Sequence, residues 1–115
     1  MPHCVVEYAE SMQAQFNMQQ IIHEIHHGVI ASGLFEAAAV KTRGYAAPHA
    51  FVGHLEEGHF IHIQLIIMPG RSSEQKQHLM HTVYQAIAEY TQQVDSVTMM
   101  VSDIDKPHYF KVLKG

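Results

Sequence analysis

The 115-residue chain lacks the features that would indicate several large classes of protein. Its single cysteine, Cys4, excludes a disulfide within the chain, and we expect a reducing, cytoplasmic setting. The apolar runs are too short to span a bilayer, and no secretory signal is visible at the start, so we expect no membrane partner. Only seven Lys and Arg residues stand against eleven Asp and Glu, and the net charge of −4 argues against nucleic acid.

The composition that remains is typical of a small folded protein. Hydrophobic residues make up 47% of the chain, which is enough for one core, and we expect a single domain over residues 1–115. Three of the few cations stand near predicted element ends, namely Lys41, Arg43 and Arg71. On an acidic protein, such cations are suited to hold an anionic small molecule, although a solvated surface charge is the more common role for any single one of them.

Hydrophobic periodicity predicts the order of the secondary structure. Ser72 and Gln75 form a capping-box pattern that predicts the start of the second helix. The predicted elements are a strand at residues 2–8, a helix at 13–31, a strand at 37–45, a hairpin of 49–55 and 59–68 around 56–58, a helix from residue 72, a strand at 96–103 and a short tail strand at 109–113.

This order predicts an α/β (α+β) fold made of two strand–helix–strand units. Right-handed crossovers make the two strands of each unit parallel and place both helices on one face of a mixed sheet. Two helices cannot cover both faces of such a sheet. We therefore expect the open face and the strand edges to be covered in an oligomer.

Pro2 is a candidate general base. If Met1 is removed, Pro2 presents a secondary amine at the start of a predicted buried strand. Burial or nearby positive charge lowers the pKa of such an amine, and a general base works best with a pKa near the operating pH. The alternative is that Pro2 is only a residue tolerated at the first position of a strand.

The same features resemble the tautomerase superfamily, and more closely the 5-carboxymethyl-2-hydroxymuconate isomerase family. The matching segments occur in order over nearly the whole chain. They are Met1-Pro2-His3, Val6-Glu7, Ser32-Gly33-Leu34-Phe35, Lys41-Thr42-Arg43, Phe60-Ile61-His62, Gly70-Arg71-Ser72-Ser73-Glu74 and Phe110-Lys111.

The resemblance implies a homotrimer whose sheets form a central barrel, with an active site at each subunit interface and no cofactor or metal. It implies that Pro2 transfers the proton that converts a dienol to an unsaturated ketone. It also implies that Arg71 and Arg43 bind the carboxylates of an anionic dicarboxylate substrate, assisted by Lys41. Where the family has a first arginine, this chain has Lys41, which lacks the planar fork of a guanidinium and leaves the preferred substrate open.

Three alternatives remain at this stage. The eleven histidines suggest a metal site, but the chain has no His-Glu-x-x-His motif. The fold could serve a non-catalytic interaction role, since a fold alone does not settle function. The chain could also be a tautomerase of a different substrate.

Overall fold

Two α-helices pack against one four-stranded sheet. The structure is a computed structural model, and it describes residues 1–114. Its elements are β1 (His3–Ala9), α1 (Met18–Ala31), β2 (Lys41–Ala47), β3 (Phe60–Ile67), α2 (Ser73–Ile87) and β4 (Ser96–Asp103). Short 3-10 helices occur at Glu10–Ala14, Ala37–Ala39, Ala88–Tyr90 and Lys106–His108.

The sheet has the order β2-β1-β3-β4. β1 pairs in parallel with β2, and β3 pairs in parallel with β4, whereas the central pair of β1 and β3 is antiparallel. This topology confirms the predicted mixed sheet of two strand–helix–strand units.

The core lies between the sheet and the two helices. In β3, every second residue from Ile61 to Ile67 is fully buried, as expected for a strand with one face in the core. α1 contributes Ile21, Ile25 and Val29, and α2 contributes its own apolar stripe of Leu79, Val83 and Ile87. The opposite sheet face, which carries residues such as His62 and Gln64, is half-exposed, and within residues 1–114 neither helix covers it.

Two predicted boundaries differ from the structure. α1 begins at Met18 rather than near residue 13, because the side chain of Asn17 accepts a hydrogen bond from the backbone of Gln20 at 3.1 Å and caps the helix there. The predicted strand at 37–45 begins later, because Ala37–Ala39 forms a 3-10 turn and β2 starts at Lys41.

The predicted hairpin is wrong, and the predicted tail strand does not form within the chain. Residues 49–55 form a turn closed by a bridge between Val52 and Leu55 rather than a strand. β1 and β4 already occupy both edges of β3, so no position remains for a hairpin partner. Residues 109–113 follow the last 3-10 helix without regular structure.

Candidate functional site

The N-terminus lies in a cavity of about 220 Å³ between β1, the end of α1 and the start of α2. Met1 occupies part of it and is only 9% exposed, and its ammonium donates to the carbonyl of Ala39 at 3.0 Å. Pro2 is fully buried directly beneath Met1, and its carbonyl accepts from the backbone of Lys41 at 3.0 Å. The Pro2 nitrogen therefore lies next to the cavity, and the hydrogen bond between Pro2 and Lys41 holds the start of β1 against β2.

Arg71 lines the same cavity, and the turn after β3 places it there. Gly70 has a φ of 114°, a conformation that favours glycine, and it reverses the chain directly before Arg71. The Arg71 guanidinium donates to the carbonyl of Leu34 and lies over the ring of Phe35, 5.4 Å from its centroid. Because Arg71 forms no salt bridge within residues 1–114, its charge is not neutralised by a carboxylate of the described chain.

Positive charge surrounds the terminal amine. Lys41 donates through Nζ to the same Ala39 carbonyl as Met1, at 3.0 Å. Burial, followed by the charges of Lys41 and Lys111, lowers the pKa of the Met1 amine below its ordinary value, and Glu36 partly opposes them. An amine at this place is thereby shifted towards its neutral, proton-accepting form.

Arg43 does not line this cavity within the chain. Arg43 and Lys41 are two residues apart on β2 and share the open face of the sheet, but the Arg43 guanidinium donates to Nδ1 of His3 at 3.1 Å. The structure therefore gathers Pro2, Arg71 and Lys41 around the N-terminus, whereas Arg43 lies beside His3.

Sequence analysis missed two side chains of this cavity. Lys111 and Phe35 line it together with Arg71. Both occur in segments that carried the family resemblance, but no periodicity or spacing indicated that they face the N-terminus. Phe35 follows the turn at Gly33, and Lys111 lies in a tail without regular structure.

A second cavity, of about 600 Å³, lies between the end of β1 and the start of α1. It is larger, but none of the residues that line it is cationic, so it is a poorer candidate for an anionic ligand. Within residues 1–114, no three His, Cys, Asp or Glu side chains are grouped to hold a metal ion. Across the same residues, no helix combines the length and the apolar character needed to cross a membrane.

The sequence model of the family described as 5-carboxymethyl-2-hydroxymuconate isomerase matches residues 2–105, which is most of the chain. The chain belongs to the 5-carboxymethyl-2-hydroxymuconate isomerase family. It is thus an isomerase of the tautomerase superfamily, as the resemblance implied. No curated protein gave a significant sequence match.

Solved structures share the fold. A crystal structure of a 5-carboxymethyl-2-hydroxymuconate delta-isomerase has a TM-score of 0.84 at 18% identity, over 97% of this chain and 88% of that chain. A 5-carboxymethyl-2-hydroxymuconate isomerase from Deinococcus radiodurans R1 has a TM-score of 0.76 at 18% identity, over 98% and 90%. A fused 4-OT protein described as an asymmetric trimer has a TM-score of 0.73 at 16% identity, over 97% and 94%.

Proposed function

We propose that the chain, once Met1 is removed, tautomerises 5-carboxymethyl-2-hydroxymuconate or a related dicarboxylate, with the Pro2 amine as general base and then general acid. The observation that carries this proposal is the position of the N-terminus. It lies at a cavity lined by Arg71 and Lys111, where burial and positive charge lower the pKa of the Met1 amine and would act in the same direction on a Pro2 amine.

The proposed reaction moves one proton and needs no other reactant. The neutral Pro2 amine accepts the proton of the substrate hydroxyl, and the resulting ammonium returns a proton to a carbon of the dienolate, which gives the unsaturated ketone. Cations near the developing negative charge stabilise the transition state, and single donors of this kind contribute about 2.7–4 kcal/mol in other enzymes. Family membership and the buried start of β1 support this role for Pro2.

Retention of Met1 would prevent this chemistry for two reasons. With Met1 attached, the Pro2 nitrogen is a tertiary amide, which does not accept a proton at neutral pH. The buried Met1 side chain also fills part of the cavity that the substrate would enter. Removal of Met1 would uncover the amine and enlarge the cavity in one step.

Arg71 is the proposed main carboxylate-binding group, because its guanidinium can grip a carboxylate with two parallel hydrogen bonds. Lys41 would assist as a point charge. Its ammonium donates to the carbonyl of Ala39, and a lysine cannot hold a carboxylate at two points as an arginine does. The preferred substrate would therefore carry its negative charges in a different arrangement from a substrate that two arginines bind. A tautomerase of a different anionic substrate is therefore the second candidate function.

We propose that the chain forms a homotrimer, and that Arg43 contributes to the site of a neighbouring subunit. The open sheet face and the edge strands β2 and β4 support assembly, since a single chain leaves them uncovered. Arg43 lies on that open face, beside the β2 edge, rather than at the cavity of its own chain.

The test is an ultraviolet assay of enol-to-ketone conversion on protein whose intact mass shows that Met1 is absent. Pro2→Ala should lower turnover sharply while the oligomeric size stays unchanged, because a freely rotating primary amine replaces the ring-held secondary amine. Unchanged turnover would refute the role of Pro2. Arg71→Ala should mainly raise KM, and normal saturation behaviour would remove Arg71 from the site.

A further inference from the structure

The segment after β4 brings an additional cation to the N-terminal cavity. Lys111 lines the cavity with Phe35 and Arg71, although it is distant in sequence from both Arg71 and Lys41. Its charge lowers the pKa of the Met1 amine, after burial and Lys41, which places it within electrostatic reach of the terminal nitrogen.

Tyr109 fastens this segment to the first strand. The hydroxyl of Tyr109 lies 2.9 Å from Nε2 of His3, and the two rings meet edge to face with their centroids 6.0 Å apart. On the other side of the imidazole, Arg43 can only donate, so Nδ1 of His3 must accept. A neutral His3 therefore carries its proton on Nε2 and donates it to Tyr109.

The neutral state of His3 is favoured by its surroundings. Burial, followed by the charges of Arg43 and Lys41, lowers the pKa of His3. The chain of hydrogen bonds from Arg43 through His3 to Tyr109 thus has one consistent direction at neutral pH, and it ties the C-terminal segment to β1 and β2.

The backbone conformation of Tyr109 indicates on which side of the chain Lys111 lies. Tyr109 is extended, with φ −126° and ψ 127°, and in extended chain alternate residues point to the same side. Phe110 and Val112 are 87% and 62% exposed; Lys111 is also exposed, and unlike them it lines the cavity. Two residues of chain span at most about 7 Å, so the contact of Tyr109 with His3 limits how far the Lys111 backbone can lie from β1.

The charges around the cavity favour an anion over an internal ion pair. Within residues 1–114, none of Lys41, Arg71 and Lys111 forms a salt bridge, although the protein as a whole is acidic. Among the described residues, Glu36 is the one acidic residue that lines the cavity. Muconate already carries two carboxylates, and a carboxymethyl substituent adds a third, so the proposed substrate has an anionic group for each of these cations.

We propose that Lys111 binds a carboxylate of the substrate, and that Tyr109 is the positioning residue that holds Lys111 at the cavity through His3. This inference rests on the proposed function, because it assigns Lys111 and Tyr109 to the same site. The ligand is an unsaturated dicarboxylate or tricarboxylate.

The experiment measures binding of cis,cis-muconate to the oligomeric protein without Met1, together with KM and kcat for the hydroxylated substrate. Muconate keeps the two carboxylates at the ends of the diene and lacks the carboxymethyl group and the hydroxyl that tautomerises, so its binding reports contacts with the terminal carboxylates and does not depend on turnover. The variants are Lys111→Ala, Lys111→Arg and Tyr109→Phe. The matched controls are Lys114→Ala, on the same segment, and Tyr84→Phe, an exposed tyrosine of α2.

Lys111→Ala should raise the Kd of muconate about tenfold, which corresponds to ~1.4 kcal/mol. Lys111→Arg should restore binding to within about threefold of wild type, because the charge is kept. Tyr109→Phe removes only a hydroxyl and should raise both Kd and KM about threefold, with kcat changed less than twofold, a split that a general loss of folding would not give. Both controls should match wild type.

The two proposals fail in different ways. If wild type turns over substrate but Lys111→Ala or Tyr109→Phe binds muconate as wild type does, the inference is overturned and the proposed function stands. If wild type binds muconate in a Lys111-dependent manner but shows no turnover, the proposed function fails and the inference is supported. Wild-type protein that does not bind muconate would overturn the inference.

Discussion

The cap of α2 connects local structure to the position of Arg71, and Ser72→Ala tests that connection. The Ser72 hydroxyl accepts from the backbone of Gln75 at 3.1 Å, and the Gln75 side chain accepts from the backbone of Ser72 at 2.8 Å. Arg71 immediately precedes this capping box and follows the turn at Gly70. The cap therefore fixes one end of the short segment that carries the guanidinium.

Ser72→Ala removes one of the two reciprocal bonds and leaves the other. Replacing an N-cap serine with alanine costs about 0.5–2 kcal/mol, and because both bonds are exposed to solvent, we expect a value near 1 kcal/mol. This corresponds to a factor of about five in the folding equilibrium. Fraying of the first turn of α2 should also loosen Arg71, so KM should rise several-fold while kcat changes little.

Denaturant unfolding measures the effect on stability, at one protein concentration because association adds to apparent stability. Ser73→Ala is the matched control: Ser73 is the first residue of α2, and its side chain takes no part in the capping box. Ser72→Asp should retain most of the stability, because aspartate is an equally good N-cap. The reasoning is refuted if Ser72→Ala and Ser73→Ala unfold at the same denaturant concentration with the same KM.

Three further predictions address packing, chemistry and pH. Gly28→Ala should lower the free energy of unfolding by about 1–3 kcal/mol despite the better helix propensity of alanine, since the new methyl would lie 3.1 Å from the Cα of Val83; a gain in stability by denaturant unfolding would contradict this. Burial raises the pKa of the Cys4 thiol to about 12, so iodoacetamide at pH 8 should label it only after unfolding, and rapid labelling of native protein would be the opposite result. Burial and the charge of Lys41 lower the pKa of the Met1 amine, and the same surroundings should act on the Pro2 amine once Met1 is removed; kcat/KM should therefore rise with pH through an apparent pKa below that of a free N-terminal proline in a peptide, and Lys41→Ala should move this limb to higher pH, whereas a limb at or above the peptide value would contradict the assignment.

The parts of the fold that sequence patterns predicted are those with local signals. β3 has strict alternation of buried side chains, and the capping box at Ser72 marks the start of α2 one residue later. The hairpin failed because the pairing of β3 is decided by β1 and β4, which lie far from it in sequence. The start of α1 was misplaced because the apolar pattern continues upstream into a 3-10 helix, and the cap at Asn17 was overlooked.

In the candidate site, too, the residues with local sequence signals were predicted and the others were not. Sequence reasoning singled out Pro2 and Arg71, because an N-terminal proline and a Gly-Arg turn are recognisable as short motifs. Lys111 could not be found in that way, because it lies in a tail without regular structure, near the contact between Tyr109 and His3. That contact joins residues 106 positions apart, and no short pattern encodes it.

The most direct test follows Met1 removal and activity in one sample. Protein that still carries Met1 is treated with a methionine aminopeptidase, and the intact mass and the ultraviolet rate of enol-to-ketone conversion are recorded over time. The account predicts negligible conversion at the start and a rate that rises in proportion to the fraction of chains that have lost Met1. Full activity in protein whose mass shows Met1 still attached would contradict it.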